Sequence, residues 1–103
     1  MGEDTSSWLK VSGSTITLNG NLGTNEVRPF QNVLADMRFQ GLHNVTIDML
    51  GVSYMSSSHL GVIAGASSDA HRAGGAIKII ATGAILELLK NTGIDKIVTL
   101  EGA

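Results

Sequence analysis

The sequence predicts a single α/β domain with a mostly parallel central sheet, in the order β-β-α-β-α-β-α-β. Three observations lead to this fold class. The chain has 103 residues, 43% of them hydrophobic, which is enough for one core. Short segments alternate apolar and polar residues, and the longer segments between them repeat apolar residues at helical spacing. Strands that alternate with helices imply right-handed crossovers onto a parallel sheet.

The first part of the chain predicts a hairpin followed by a helix. Two β-prone runs, Trp8–Val11 and Ser14–Asn19, are separated by Ser12 and Gly13. A helix over 29–39 follows, with Pro29 in its first turn. Residues 24–28 fit either an earlier helical turn or a loop. The helix is predicted from apolar residues at i, i+3, i+4 and i+7, namely Phe30, Val33, Leu34 and Met37.

The second part predicts three strands and two helices in alternation. The strands are Asn44–Leu50, Ala76–Ile80 and Lys96–Leu100, and the helices cover 58–73 and 83–91. A Gly-Gly pair follows the first of these helices, as is common where a helix ends. From the phases of these elements we expect a core that includes Val45, Ile47, Leu60, Ile63, Ile77, Ile79 and Leu88.

The helix over 58–73 is rich in small residues, which favours close packing of the helix on the sheet. The alternative is a flat docking surface on its exposed side. The small residues are Gly61, Ala64, Gly65, Ala66, Ser67 and Ser68.

Composition excludes several classes of partner. Seven basic and nine acidic residues give a net charge of −2 without any run of like charge, so nucleic acid is not an expected partner. The chain has no cysteine and no apolar stretch of about 20 residues that would span a membrane. We expect one cytoplasmic domain over 1–103, with residues 1–7 disordered and a protein as its partner.

Three consecutive serines, Ser56 to Ser58, stand at the junction between a predicted strand and the helix over 58–73. A serine in this place caps the helix when its hydroxyl accepts a backbone N–H bond. The same helix end also favours a phosphate group, so that a cap and a phosphorylation site are compatible.

We do not expect this chain to be an enzyme. A hydrolase would need a serine with His59 or His71 as base and Asp48 or Asp69 as the orienting acid, but the sequence has no G-x-S-x-G motif. Phosphate-binding loops of the type that holds ATP are also missing, so no cofactor is expected. The spacing of the three histidines does not suit a metal site, and we expect His43, His59 and His71 on the surface.

The segment VTIDMLGVSYMSSSHLGVIAGASSDAHRAGGAIKII, residues 45–80, resembles the STAS domain of bacterial anti-sigma factor antagonists. In that family a strand leads into a D-S-S-G-L-G loop and a helix that ends with Gly-Gly. The likeness extends from GNLG at residues 20–23, where the family often has G-E-L-D, to LLKNTGIDKIV near the end of the chain.

The resemblance implies a regulatory domain that binds a serine kinase acting as an anti-sigma factor, or another signalling protein. Alignment on Leu60 and Gly61 places Ser58 at the phosphoacceptor position, with Ser57 as the alternative. Phosphorylation would abolish binding. The alternative function is a STAS scaffold in a sensory or signalling complex, in which the serines only cap a helix.

Three positions near this predicted switch depart from the family pattern. Ser56 replaces the acid before the serine pair, His59 replaces the glycine after it, and Gly23 replaces the last acid of G-E-L-D. Together with Ser57 and Ser58, these residues form the predicted partner-binding set, and their identities bear on which kinase recognises the loop.

Overall fold

The computed structural model describes residues 8–103, and the expectation for residues 1–7 lies outside them. Five strands and three helices alternate in the predicted order, which confirms the fold class. Two short 3₁₀ turns, Thr24–Glu26 and Ile94–Lys96, lie between these elements. The elements are β1 Leu9–Ser12, β2 Thr15–Leu22, α1 Val27–Phe39, β3 Asn44–Met55, α2 Ser57–Arg72, β4 Ala76–Ala81, α3 Gly83–Asn91 and β5 Thr99–Gly102.

The strands form one sheet in the order β1-β2-β3-β4-β5, antiparallel between β1 and β2 and parallel elsewhere. Each crossover from β2 onward moves one strand in the same direction, and right-handed crossovers of this kind place all three helices on one face. The side chains agree with this arrangement. Ile16, Ile47 and Ile79 are in register across the sheet and fully buried, whereas their neighbours Thr46 and Lys78 are partly exposed.

Strand β3 is longer than the sequence predicts, because it continues past Leu50 to Met55. Gly51, which resembled the start of a loop, lies inside the strand against the side chain of Asn19, where a Cβ atom would clash with the amide oxygen. The β2–β3 register shifts at this point and pairing then continues to Leu22 and Met55. The glycine therefore allows the two strands to stay paired to their carboxyl ends.

The other boundaries differ by a few residues. Helix α1 begins at Val27, so that Pro29 lies in its first turn, and residues 24–26 form the earlier turn that the sequence left open. The last strand is Thr99–Gly102 instead of Lys96–Leu100, because the chain first turns through Ile94–Lys96.

Most predicted core residues are buried, but one predicted residue on each of two helices, α2 and α3, lies at the edge of the buried face instead of at its centre. Val45, Ile47, Ile63, Ile77 and Ile79 are buried as expected. Leu60 and Leu88 are only partly buried and pack against the rim of the core. The buried positions are instead Ile85 and Leu89 on α3, and His59, Ile63, Ser67 and Ala70 on α2.

The end of α2 at Gly74 and Gly75 confirms the predicted helix stop. Gly74 has a positive φ of 86°, and the Gly75 N–H donates to the Ala70 carbonyl at 2.8 Å. The backbone of His43 passes so close to Gly75 that a Cβ atom there would clash with the His43 carbonyl oxygen. The glycine thus lets the Ala76 N–H pair with that carbonyl at 3.0 Å as β4 begins.

The fully buried Ile47 lies at the centre of the sheet, and Ile47→Ala should lower the free energy of unfolding by about 2–5 kcal/mol. Val11→Ala provides the matched control, because Val11 is 50% exposed on the edge strand and its truncation should cost less than about 1 kcal/mol. Urea denaturation measures both. Equal losses in the two variants would contradict the strand phases described above.

Candidate functional site

The end of the β2–β3 pairing brings two loops of the predicted site to one edge of the sheet. Leu22 and Met55 are the last paired residues, and the Ser56 N–H donates to the Leu22 carbonyl at 2.9 Å. Gly23 follows one strand and Ser56 follows the other, so they leave the sheet side by side. Function commonly gathers at the carboxyl ends of parallel strands, and the three serines lie at such an end.

The three serines differ in their surroundings. Ser57 and Ser58 are exposed in the first turn of α2, whereas Ser56 is half-buried at the N-cap position with extended backbone (φ −74°, ψ 156°). The Ser56 carbonyl accepts the His59 N–H at 3.1 Å. Within the described chain the Ser56 hydroxyl makes no capping bond to the helix backbone, so the predicted side-chain cap is absent at this position.

The Ser56 hydroxyl instead pairs with a histidine. Its Oγ lies 2.9 Å from Nδ1 of His59, whose side chain is fully buried and whose ring centre is 5.7 Å from that of Phe30. The prediction of a surface histidine is therefore wrong for His59, because α2 turns this residue fully into the core, whereas Leu60 is only partly buried. Because its side chain is buried, His59 can influence partner binding only indirectly, through the residues that it contacts.

Burial lowers the pKa of His59 below its ordinary value of 6.5. The backbone groups of Glu26 and Ser56 and the Glu26 carboxylate offset part of this effect. Among residues 8–103, Nε2 of His59 has no hydrogen-bond partner. The imidazole is accordingly held neutral beneath the serine loop.

Glu26 is a site residue that the sequence analysis did not single out. Its carboxylate oxygen Oε1 accepts a hydrogen bond from the Gly23 N–H at 2.9 Å, and its negative charge raises the pKa of the buried His59, against the larger lowering by burial. Glu26 thereby links the Gly23 loop to the helix that carries the serines. The three-residue spacing from Gly23 to Glu26 is the spacing of a capping box, which was the available sequence signal.

The described residues do not assemble a Ser-His-Asp triad. The Asp48 carboxylate accepts the backbone N–H of Leu50 at 3.0 Å, and Asp69 is paired with Arg38 and Arg72. Over the same residues 8–103, no group of three metal-binding side chains lies together. None of the helices in that range is long and apolar enough to cross a bilayer.

The first turn of α2 can accept an anion. The His59 N–H donates to the Ser56 carbonyl, but the N–H groups of Ser57 and Ser58 have no acceptor within the helix. The positive end of the helix dipole lies there, and the turn contains no acidic residue. Two exposed hydroxyls, those of Ser57 and Ser58, stand on this turn. The geometry therefore offers a small polar surface where a neutral hydroxyl and an anionic group are both compatible with the helix.

Comparison with known families gives one strong match. The family model described as "Mlab, STAS domain" matches residues 9–100. No curated protein sequence matches the chain.

Several solved structures share the fold. A Thermotoga maritima protein assigned as an anti-sigma factor antagonist is 20% identical with a TM-score of 0.77, over 92% of this chain and 85% of that one. An anti-sigma factor antagonist from Mycobacterium paratuberculosis is 17% identical with a TM-score of 0.77, over 90% and 81%. Phosphorylated SpoIIAA, a Bacillus cell fate determinant, is 17% identical with a TM-score of 0.66, over 92% and 88%. At these identities the likeness establishes the fold.

The burial of His59 should make stability fall as the pH drops below about 6.5. Above 6.5 the unfolded and folded chains are both neutral at this residue, and its contribution to stability is complete. As the pH falls, His59 binds a proton in the unfolded chain before it does so in the folded chain. The free energy of unfolding therefore decreases until the pH is below the pKa of His59 in the folded state. Thermal melts from pH 8 to pH 5 should show a fall for the wild type and a smaller fall for His59→Asn.

The exposed His71 supplies the matched control, since His71→Asn should retain the wild-type pH dependence. Asp69 does not interfere in this range. The hydrogen bond from Arg72, with a further contribution from Arg38, lowers the pKa of Asp69 below 3.8, and its stabilising effect is lost only in stronger acid. Identical pH profiles for the wild type and His59→Asn would contradict the role assigned to the buried imidazole.

Proposed function

The chain belongs to the STAS-domain family, and from that premise we propose that it is an anti-sigma factor antagonist-like regulatory domain that is switched by phosphorylation of Ser58. The observation that carries this proposal is the position of Ser58. Its side chain is exposed in the first turn of α2, at the sheet edge where the Gly23 loop and the serine loop meet.

Among the three serines, accessibility favours Ser58 and Ser57 over Ser56. The Ser56 hydroxyl is half-buried and bonded to His59, so a kinase would have to break that bond to reach it. Ser58 is preferred to Ser57 because it matches the family's phosphoacceptor position when the chains are aligned on Leu60 and Gly61. Ser57 remains the alternative acceptor.

The switch acts through surface charge while the fold stays intact. A phosphoryl group adds roughly −1.5 to −2 charge, which the amino end of α2 stabilises. A partner that packs against neutral hydroxyls would have to desolvate this charge or meet it with its own carboxylates. Phosphorylated SpoIIAA has this same fold, which is consistent with a modification that changes the surface.

The partner surface comprises Gly23, Ser56, Ser57 and Ser58, with His59 beneath it. The Glu26 bond to the Gly23 backbone and the Ser56–His59 pair hold the two loops in place. Because Gly23 carries no side chain where the family often has an acid, the surface beside Ser58 is more open and less negative than the family pattern. This difference should select a partner kinase that does not depend on that acid.

In this role the domain is a cytoplasmic binding protein and not an enzyme. ATP and the chemistry of phosphoryl transfer belong to the partner, a serine kinase that acts as an anti-sigma factor or another signalling protein. The competing function is a constitutive STAS scaffold, in which the serines only cap α2. A scaffold of this kind would bind its partner equally well with and without a negative charge at Ser58.

The charge argument predicts that Ser58→Asp weakens binding to a serine kinase that recognises this domain by at least about tenfold, whereas Ser58→Ala changes it by less than about threefold. Ser68→Asp is the matched control, because Ser68 is exposed on the same helix far from the serine loop and should leave affinity unchanged. Isothermal titration calorimetry measures all three variants.

Incubation with the kinase and ATP, followed by mass spectrometry of the tryptic peptide 39–72, identifies the acceptor. We expect one phosphoryl group on Ser58. Modification at Ser57 would move the assignment by one residue. An unmodified peptide, together with equal binding by the wild type and Ser58→Asp, would favour the scaffold.

A further inference from the structure

Helices α1 and α2 lie side by side and run in the same direction, because each connects two neighbouring parallel strands. Contacts join them near both ends. Arg38, close to the end of α1, forms an ion pair with Asp69, close to the end of α2. Near the start of the two helices, the rings of Phe30 and His59 have their centres 5.7 Å apart. The helices are therefore adjacent along their whole length.

One stripe of each helix faces the other helix. The residues that line the groove between them define these stripes: Gln31, Ala35 and Arg38 on α1, and Gly61, Gly65 and Asp69 on α2. Residues three or four apart share a face of a helix. The stripe of α1 therefore extends back to Arg28, and the stripe of α2 extends back to Ser58.

Arg28 and Ser58 also stand at nearly the same height along the two helices. Arg28 comes ten residues before Arg38, which is about 15 Å along the axis, and Ser58 comes eleven residues before Asp69, which is about 16.5 Å. Because Arg38 and Asp69 are paired, Arg28 and Ser58 face each other across helices whose axes are typically ~8–10 Å apart. An arginine side chain is long enough to reach a phosphoryl group across that separation.

Arg28 is free to take up this role. Its side chain is exposed, and none of the ion pairs among residues 8–103 includes it. The carboxylate of Glu26 is occupied by the Gly23 N–H and would oppose a second anion close to it, and the buried imidazole of His59 is neutral. Arg28 is thus a cation that can balance a new negative charge at the start of α2.

We propose that Arg28 binds the phosphoryl group of phosphorylated Ser58. A guanidinium presents paired N–H donors that match the oxygens of a phosphate, and the new bridge repeats the Arg38–Asp69 pair at the other end of the same two helices. The inference rests on the proposed phosphorylation of Ser58 and names the residue of this chain that holds the phosphate. A phosphate on Ser57 would lie about 100° further round α2, on the side turned away from α1.

The full chain with phosphoserine installed at position 58 by genetic code expansion tests the pairing without a kinase. A neighbouring cation favours the dianion, so Arg28 should lower the second pKa of the phosphate. In a ³¹P NMR titration, Arg28→Gln should raise the midpoint by at least about 0.3 pH, and Arg28→Lys, which keeps the charge, should raise it less. Arg72→Gln is the matched control, because Arg72 is an exposed arginine about 21 Å further along α2 and its loss should leave the midpoint unchanged.

Phosphoserine at position 57 provides the second control, since its titration midpoint should be the same in the wild type and in Arg28→Gln. The proposal is overturned if Arg28→Gln leaves the midpoint of phosphorylated Ser58 unchanged, or if it moves the midpoint of phosphorylated Ser57 by as much. The affinity for a kinase is measured separately. A normal Arg28 effect without any change in affinity would therefore refute the switch and keep the pairing, and the reverse result would refute only the pairing.

Discussion

The parallel pairing of β2 with β3 as far as Leu22 and Met55 is the constraint on which the serine site depends. If β3 ended at Leu50, the serines would follow a loop of undefined course. Because the pairing continues past Gly51, the Ser56 N–H is held by the Leu22 carbonyl and α2 begins at a fixed point beside the Gly23 loop. A pair of strands thus determines where two exposed hydroxyls stand on the surface.

Beneath that surface, a buried imidazole connects the elements that meet there. His59 pairs with the Ser56 hydroxyl and packs near the ring of Phe30 in α1. The negative charge of Glu26 raises the pKa of His59, and the Glu26 carboxylate also accepts a hydrogen bond from the Gly23 N–H. The loops, the first helix and the second helix therefore share one small polar cluster at the edge of the core. In the proposed switch, a change of charge on the exposed serines alters the surface offered to a partner while this cluster keeps the loops in position.

The periodicities of the sequence were sufficient for the fold class, the order of elements and most of the sheet core, since rows such as Ile47 and Ile79 alternate clearly with polar residues. They could not decide the phase of α2, because His59 and Leu60 are adjacent and histidine is usually exposed. The extension of β3 was hidden by Gly51, whose role depends on the distant Asn19.

In the proposed function, a phosphoryl group on Ser58 controls partner binding while the fold stays unchanged. The most direct measurement is the affinity of one protein sample for its kinase partner in three states: unmodified, stoichiometrically phosphorylated, and treated afterwards with phosphatase. Phosphorylation should lower the affinity by at least about tenfold, and dephosphorylation should restore it. Equal affinity in all three states would contradict the proposed function.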